Sequence, residues 1–331
     1  MTKLANNGKT VLISGGAGFI GSNLAESLLK ENYKVLCLDN FSTGSKENVA
    51  GLMENGNFLL LNTDVTKRLS DIVLDSKIDY IFHLASPASP NEASPISYMN
   101  LPLETMDANS IGTRRLLRLA KKNQAKFLFA STSEIYGDPS IHPQTEDYWG
   151  NVNPIGPRAC YDESKRFGEA LTMVYLRKFH VDARIVRIFN TYGPGMNLRD
   201  GRAVVNFIVA ALKNQPITIF GRGKQTRSLC YVSDMVDGLK KALFSPKTKG
   251  EVFNLGNPVE YTILQIANKI KKAVGSQSAI VYADLPDDDP RRRRPDISKA
   301  KKQLNWAPKV KFSQGLAKTI KFFQEKLKNE Q

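Results

Sequence analysis

The stretch Thr10-Val-Leu-Ile-Ser-Gly-Gly-Ala-Gly-Phe-Ile-Gly21 decides the fold class of this chain. Its first five residues are a short apolar run of the kind that forms a buried parallel strand. Gly15, Gly18 and Gly21 follow, and glycines at this spacing permit a tight turn and a close approach of the backbone to a pyrophosphate. A helical pattern comes next, and the free N–H groups at the start of a helix bind phosphate. The stretch therefore predicts the strand–turn–helix unit of a dinucleotide-binding fold.

A second apolar run, from Lys34 to Leu38, ends in Asp39. Its separation along the chain from the glycine turn is the one at which a carboxylate binds the adenosine ribose hydroxyls of a dinucleotide. A carboxylate also repels a 2′-phosphate, so NAD is the expected cofactor rather than NADP. The alternative is that Asp39 is a solvated turn residue.

Further apolar strands are expected at 57–62, 79–84, 126–130 and 183–189, with amphipathic helical segments between them. One of these helices is expected to open at Asn109 and run to about Asn123. This alternation predicts an α/β fold, a Rossmann-type doubly wound parallel sheet with a smaller C-terminal substrate-binding lobe. The predicted NAD-binding domain covers residues 1–190, with 228–258 returning to it, and the lobe covers 191–227 and 259–331.

Tyr161 and Lys165 are four residues apart in Tyr161-Asp-Glu-Ser-Lys165, so on a helix they share one face. A free phenol has a pKa near ~10, and an ammonium close to it favours the phenolate. Thr132, at the end of an apolar strand, supplies a hydroxyl that can bond the same substrate oxygen. The trio predicts removal of a proton from an alcohol while a cofactor takes the hydride. The alternative is an exposed helix turn with a chance Tyr and Lys.

Composition narrows the function classes. The 331 residues are 41% hydrophobic and 24% charged, as in an ordinary soluble globular protein, and no run supplies the ~18 apolar residues of a membrane span. The net charge of +15 raises nucleic acid as a partner, but nine lysines lie from Lys299 onward at the spacing of a solvated helix face, without a nucleic-acid motif. These two observations predict no membrane and no nucleic acid. The three cysteines and three histidines show no ligand spacing, so we expect no metal, and an odd number of cysteines fits a reducing cytoplasm.

Motifs over nearly the whole chain resemble those of the extended short-chain dehydrogenase/reductase superfamily: Gly15-x-x-Gly18-x-x-Gly21, Asp64-Val65, Asn109, Thr132 and Tyr161-x-x-x-Lys165. Longer segments resemble the UDP-glucuronate decarboxylase (UDP-xylose synthase) family: His83-Leu-Ala-Ser-Pro-Ala-Ser-Pro90, Ser131-Thr-Ser-Glu134, His142-Pro-Gln-Thr-Glu-Asp-Tyr-Trp-Gly150, Asn153-Pro-Ile-Gly-Pro-Arg-Ala-Cys-Tyr-Asp-Glu163 and Gln225-Thr-Arg227.

The resemblance implies a carboxy-lyase that converts UDP-glucuronate to UDP-xylose and CO2 through a 4-keto intermediate and regenerates its NAD. It implies catalytic roles for Thr132, Ser133, Glu134, Tyr161 and Lys165. It implies cofactor contacts from Gly15, Gly18, Phe19, Ile20, Gly21, Asp39, Asn40, Asp64, Val65, Leu84, Ala85, Tyr161 and Lys165. It implies contacts with a UDP-sugar from Ser86, Pro87, Glu134, Tyr161, Asn190, Asn206, Arg227 and Arg293. The family usually forms homodimers.

Two positions bear on the substrate. Sugar-nucleotide dehydratases usually have Asp where this chain has Ser133, and a serine can donate to a substrate carboxylate that an Asp would repel. Decarboxylases commonly have Lys where this chain has Asp107, so a different nucleotide or a related uronate remains an alternative substrate. A 4,6-dehydratase or a 4-epimerase of sugar nucleotides is the alternative function. A non-catalytic NAD-binding protein is a further alternative, although it need not retain Tyr161, Lys165 and Thr132 together.

The run Arg291–Arg294 follows Asp287-Asp-Asp-Pro290 and is expected to interrupt regular structure. Adjacent arginines on a loop are usually solvated. Guanidinium forks also bind phosphate, and the resemblance implies that one of these arginines binds the nucleotide diphosphate. Arg293 is the expected residue and Arg292 the alternative.

Overall fold

The structure is a computed structural model that describes residues 8–285 and 292–329; the predicted interruption at Asp287–Asp289 and Arg291 lies outside these ranges. The strands are β1 Thr10–Ser14, β2 Lys34–Asp39, β3 Phe58–Asn62, β4 Tyr80–His83, β5 Lys126–Thr132, β6 Ala183–Ile188, β7 Thr191–Tyr192, β8 Ile217–Phe220, β9 Thr226–Ser228, β10 Cys230–Tyr231, β11 Val252–Leu255, β12 Glu260–Thr262, β13 Ile280–Ala283 and β14 Arg292–Arg293.

The α-helices are α1 Phe19–Leu29, α2 Asp71–Asp75, α3 Pro102–Asp107, α4 Thr113–Asn123, α5 Ala159–Phe179, α6 Ala203–Leu212, α7 Val232–Phe244, α8 Ile263–Val274, α9 Ser298–Leu304 and α10 Phe312–Asn329. Short 3-10 helices cover Lys46–Leu52 and Ser133–Tyr136.

Seven parallel strands form the central sheet in the order β11-β6-β5-β4-β1-β2-β3. Successive residues of a strand point to opposite faces of the sheet, and both faces of this sheet are covered. In β1, Val11 and Ile13 belong to one buried hydrophobic cluster and Leu12 belongs to the other. The expected doubly wound parallel sheet is confirmed.

The helix expected to open at Asn109 begins earlier, so that prediction was wrong. Pro102 starts α3, because proline suits the first turn of a helix. A π-helical turn, Ala108–Gly112, then joins α3 to α4 and contains Asn109, which is fully buried. Its side-chain amide donates to the hydroxyls of Ser86 (3.1 Å) and Ser164 (3.0 Å). Asn109 therefore ties the loop after β4 to α5.

Beyond β6 the chain builds smaller sheets, β13 with β8 and β12-β9-β14, beside the helices α6, α8 and α10. The expectation that the arginine run interrupts regular structure was wrong for its described part. Arg292 and Arg293 form β14, which pairs in parallel with β9, so that Arg293 lies in register with Arg227. The return of β11 to the edge of the central sheet accords with the predicted domain division, which stays a prediction.

Candidate active site

A cavity of about 990 Å³ lies at the carboxyl ends of the parallel strands, where α/β sheets bind their ligands. Its wall includes residues that follow β1, β2, β3, β4, β5 and β6. Every site residue expected from the sequence lines it except Arg293: Gly15, Gly18, Phe19, Ile20, Gly21, Asp39, Asn40, Asp64, Val65, Leu84, Ala85, Ser86, Pro87, Thr132, Ser133, Glu134, Tyr161, Lys165, Asn190, Asn206 and Arg227.

The turn after β1 is too tight for side chains. Gly15 has φ +73°, and a Cβ there would lie 2.8 Å from the backbone nitrogen of Ala85. A Cβ on Gly21 would lie 2.1 Å from the carbonyl oxygen of Gly15. No side chain caps the start of α1 at Gly18, and Gly18 to Gly21 line the cavity. Such a helix start can receive an anion.

Asp39 ends β2 at the rim of this turn. Its carboxylate oxygens accept from the backbone N–H groups of Ala17 (2.9 Å) and Phe41 (2.8 Å). Burial raises the pKa of Asp39, and these backbone donors oppose the shift. A carboxylate oxygen accepts more than one hydrogen bond, so Asp39 can also accept from ribose hydroxyls.

Asp64 lies beside it, after β3. Its Oδ1 accepts from the backbone N–H (2.8 Å) and the hydroxyl (2.7 Å) of Thr66. Burial alone raises the pKa of Asp64, but these bonds and one from Asn40 outweigh it and leave the pKa low. Asp64 is therefore ionised and fixed in orientation.

The side chains of Tyr161, Thr132 and Lys165 come together as the sequence predicts, with Tyr161 and Lys165 on the first turns of α5. The Tyr161 and Thr132 hydroxyls are hydrogen-bonded. The Lys165 ammonium donates to the carbonyl of Ala130 (2.8 Å) and lies 5.8 Å from the centre of the Tyr161 ring. The three groups thus form one cluster at the end of β5.

Burial dominates the electrostatics of this cluster. It raises the pKa of Tyr161, against which the Thr132 hydrogen bond and the charge of Arg202 act. It lowers the pKa of Lys165 to about 7, against which the charge of Glu169 acts. Glu169 is itself held by Arg187 through two bonds of 2.9 Å and accepts from Ser131 at 2.6 Å. The negative charge of Glu169 favours the charged form of Lys165.

Glu134 follows in the short 3-10 helix after β5, where its backbone N–H donates to Thr132 (3.2 Å). Arg158 donates to one oxygen of its carboxylate and Arg293 to the other. Burial raises the pKa of Glu134, but the charges of Arg293 and Arg158 outweigh it and hold the pKa well below its usual value. Glu134 is thus an ionised carboxylate clamped between guanidiniums.

Arg293 does not lie on the cavity wall. It is 2% exposed, and besides its bond to Glu134 it donates to the carbonyl of Gly137 (2.9 Å). The position expected to meet a diphosphate is thus behind the wall, facing Glu134. Its register partner Arg227 does line the cavity.

Three residues of the site were missed from the sequence alone: Arg158, Arg202 and Tyr98, all of which line the cavity. Arg202 precedes α6 and is held by the carboxylate of Asp200 through Nε (2.8 Å) and Nη2. Arg158 lies in the segment 153–163 that carries the family resemblance, and Tyr98 lies in the four-proline loop after β4. Their place in these segments was a usable signal. Their contacts were not predictable, because the residues that they meet in the cavity are distant in the sequence.

Among residues 8–285 and 292–329, no group of three or more His, Cys, Asp and Glu side chains is placed to hold a metal ion. Within the same ranges no helix is long and apolar enough to cross a membrane.

Comparison with known proteins places this site in a family. A family model described as GDP-mannose 4,6 dehydratase matches residues 12–319. UDP-glucuronic acid decarboxylase 1 of Xenopus tropicalis is 48% identical over 97% of this chain and 74% of its own length. UDP-glucuronic acid decarboxylase 3 of Arabidopsis thaliana is 49% identical over 95% of this chain and 89% of its own length.

Among solved structures, the UDP-glucuronic acid 4-epimerase of Bacillus cereus in complex with UDP-glucuronic acid and NAD is similar, with a TM-score of 0.85 and 31% identity. The match covers 96% of this chain and 99% of that one. The resemblance noted in the sequence is confirmed: the chain belongs to the GDP-mannose 4,6-dehydratase family and, within it, to the UDP-glucuronic acid decarboxylases.

Proposed function

We propose that this chain is a carboxy-lyase that converts UDP-glucuronate to UDP-xylose and CO2 through a 4-keto intermediate, with NAD regenerated in the cycle. The observation that carries the proposal is one cavity in which the Tyr161–Thr132–Lys165 cluster meets Glu134 and its arginines. This cavity lies in a chain whose sequence is about half identical to those of UDP-glucuronic acid decarboxylases.

The residues at the start of the sheet fit NAD. The cradle at Gly15 and Gly21 admits no side chain, and the uncapped start of α1 suits a pyrophosphate. Asp39 would hold the adenosine ribose and exclude a 2′-phosphate. Asn40, Asp64 and Val65 line the same end of the cavity. When bound, NAD would take a hydride from the sugar and later return it.

Tyr161 would accept the proton of the sugar C4 hydroxyl. Thr132 already accepts from the N–H of Glu134, so its own O–H is left to donate to the Tyr161 oxygen or to the substrate oxygen. Burial opposes a phenolate at Tyr161, so positive charge is needed nearby. The charge of Arg202 acts in this direction, and Lys165 would add to it in its charged form.

Decarboxylation would use the residues after Thr132. A ketone at C4 makes the C6 carboxylate a β-keto acid: the C5–C6 bond breaks, CO2 leaves, and the bonding electrons pass into an enolate that takes a proton at C5. Ser133 can donate a hydrogen bond to the carboxylate. Glu134 keeps Arg158 in place beside it.

A cation of the cavity wall would bind the diphosphate. Arg227 lines the cavity, and a guanidinium group binds phosphate oxygens bidentately. We give Arg293 a different task from the one expected from the sequence, because its guanidinium faces Glu134 and Gly137. Asn190 and Asn206 line the cavity with Ser86 and Pro87 and complete the proposed sugar-nucleotide site.

Product analysis in heavy water tests the function. NMR of the product from UDP-glucuronate should show UDP-xylose with deuterium at C5 only and the C4 hydrogen retained, with no net consumption of NAD. The Tyr161→Phe variant serves as the control and should form product ~100-fold more slowly or less. A C4 epimer with its carboxylate intact would identify a 4-epimerase instead. A 4-keto-6-deoxy sugar from a neutral sugar nucleotide, with glucuronate untouched, would identify a 4,6-dehydratase.

We also propose a cytoplasmic homodimer. The helices from α3 to α5 expose large apolar side chains that a partner could cover: Leu103 (72% exposed), Met106 (45%), Ile111 (43%), Phe167 (53%) and Val174 (47%). Light scattering of the purified chain should give twice the mass of one chain; a monomer mass at micromolar concentration would contradict the dimer.

A further inference from the structure

Glu169 lies one helical turn beyond Lys165 on α5. Residues four apart on a helix share one face, and here that face meets β5. Gly168 lets the helix approach this strand closely, because a Cβ there would overlap the ring of Phe129. The carboxylate of Glu169 accepts from the hydroxyl of Ser131 at 2.6 Å, at the end of β5. Glu169 is therefore a neighbour of the catalytic cluster, although it does not line the cavity.

Arg187 on β6 fixes the carboxylate of Glu169. Its Nε and Nη2 donate to the two oxygens of that carboxylate, each at 2.9 Å. The two side chains are only 10% and 14% exposed, and a bidentate guanidinium–carboxylate pair has a defined geometry. Arg187 is anchored in turn, because its Nη1 donates to the hydroxyl of Tyr136 (2.9 Å) and to the carbonyl of Glu146 (2.7 Å). The negative charge of Glu169 thus has a fixed position.

The strands beside Lys165 add no formal charge to its surroundings. From β5, the carbonyl of Ala130 accepts from the ammonium at 2.8 Å, and the centre of the Phe129 ring lies 5.2 Å away, a contact that favours a cation. From β4, His83 is fully buried, and burial and the charge of Lys165 lower its pKa to about 3. His83 is therefore neutral in the pH range in which the enzyme would be assayed.

The formal charges come from the same helix and from β6. Tyr161 on α5 keeps its proton in the absence of a substrate, because burial raises its pKa. Burial lowers the pKa of Lys165 to about 7, and the charge of Glu169 is what opposes this shift. The positive charge of Arg187 lies beyond that carboxylate and acts on Lys165 in the opposite direction to Glu169. The protonation of Lys165 therefore depends on the carboxylate of Glu169.

We propose that Glu169 is a positioning residue that keeps Lys165 protonated beside Tyr161, and that it thereby sets the pH range in which the enzyme works. The inference rests on the proposed function, in which a charged Lys165 favours the phenolate of Tyr161. Glu169 does not line the cavity, so it acts through Lys165 and not on a ligand. As the pH rises, Lys165 loses its proton and the phenolate loses this support. Without the charge of Glu169 the loss should come at lower pH.

The pH dependence of kcat, measured with saturating UDP-glucuronate and NAD, tests the proposal. Glu169→Gln keeps the size of the side chain and removes its charge. Its alkaline loss of activity should come about 1 pH unit lower than that of the wild-type chain, because Lys165 then gives up its proton more readily. On that side of the profile this shift is about a tenfold lower kcat. A purely structural defect would lower kcat by the same factor at every pH.

Asp182→Asn is the matched control. Asp182 also pairs with a buried arginine, since Arg184 donates to it at 2.6 Å and has a side chain that is 1% exposed. Asp182 precedes β6, at the end of the sheet opposite the cavity. This variant should lose stability as Glu169→Gln does, but its pH profile should match that of the wild-type chain.

A second pair of variants covers a folding defect, because Glu169→Gln leaves Arg187 buried without its carboxylate. Replacing both charges of a buried pair by neutral side chains is often tolerated. Glu169→Gln/Arg187→Met should therefore fold, and its alkaline loss of activity should again come about 1 pH unit below that of Arg187→Met.

The outcomes separate the inference from the proposed function. An alkaline limb that does not move on Glu169→Gln overturns the inference alone, whether kcat is unchanged or falls equally at every pH. If Glu169→Gln does not fold, the comparison in the Arg187→Met background decides by the same criterion. Failure of the wild-type chain to turn over UDP-glucuronate overturns the proposed function and the inference with it.

Discussion

Removing Arg293 should destabilise the fold far more than removing an exposed arginine. Arg293 is 2% exposed and donates to Glu134, whose other carboxylate oxygen is bound by Arg158. In the Arg293→Met variant Glu134 loses one of its two guanidinium partners inside the protein. Breaking a buried ion pair costs about 3–5 kcal/mol in the free energy of unfolding, and we expect the lower end of this range because Arg158 stays bound to Glu134.

A double-mutant cycle isolates the pair. Glu134→Gln alone leaves the Arg293 charge without its carboxylate, so it should also destabilise. The double variant Glu134→Gln/Arg293→Met removes both charges of the pair, and its loss should be smaller than the sum of the single losses by about 0.5–3 kcal/mol. Urea unfolding followed by circular dichroism measures all four proteins.

The pH dependence gives the cycle a second readout. The pKa of Glu134 lies below its usual value in the folded protein, although burial alone would raise it, because Arg293 and Arg158 are close. A carboxyl with a lowered folded-state pKa contributes stability that is present above its unfolded pKa, near ~4.3, and is lost as the pH falls toward the folded value. The advantage of the wild-type chain over Glu134→Gln should therefore shrink below about pH 4.

Arg68→Met is the control, because Arg68 pairs with Asp71 at 3.1 Å but is 81% exposed. It should change the free energy of unfolding by less than about 1 kcal/mol. Additive effects of Glu134→Gln and Arg293→Met, or a wild-type advantage over Glu134→Gln that does not depend on pH, would refute the reasoning.

Three further variants test the proposed site. Tyr161→Phe should fold and bind NAD but lower turnover by ~100-fold or more, as expected for loss of a positioned acid–base group; near-normal steady-state turnover would contradict this. Asp39→Ala should weaken the binding of NAD and reduce the preference for NAD over NADP. Titration of the variant with both cofactors checks this, and unchanged affinities for both would show that Asp39 is not in the site. Gly21→Ala should impair NAD binding and stability, because its Cβ would lie 2.1 Å from the carbonyl oxygen of Gly15. Gly51→Ala meets no atom within 4 Å and should match the wild type in the same thermal melts.

Local pattern predicted the central sheet well. The short apolar run at β1 and the run that ends in Asp39 each form the strand expected, because a buried parallel strand needs continuous apolar residues. Thr262-Ile-Leu-Gln265 has the sequence pattern of a capping box, and both hydrogen bonds of that box are present at the start of α8. The start of the helix near Asn109 was not predictable in this way, because a π-helical turn depends on the contacts of a buried amide with Ser86 and Ser164.

The site was predictable where it lies at strand ends and less so where distant segments meet. Thr132, Tyr161 and Lys165 were found because one strand end and one helix turn bring them together. The partner of Glu134 was not predictable, because Arg293 is 159 residues away and its place depends on pairing between β14 and β9. Tyr98 lies in a loop without a periodic pattern, so no local pattern predicted that its ring stacks on the ring of Tyr161.

The charges around Glu134 give Ser133 and Glu134 different tasks in the proposed reaction. Because Arg158 and Arg293 hold Glu134 ionised, its carboxylate has no proton to give at neutral pH, and both its oxygens are engaged by guanidinium donors. Ser133 is buried beside it and carries a hydroxyl that can donate to an anion. In the proposed reaction the substrate carboxylate would therefore be oriented by the neutral hydroxyl of Ser133 and the cation of Arg158, while Glu134 holds that cation in place. An acid at position 133 would replace attraction by repulsion at this point, so its serine favours a substrate that brings its own negative charge.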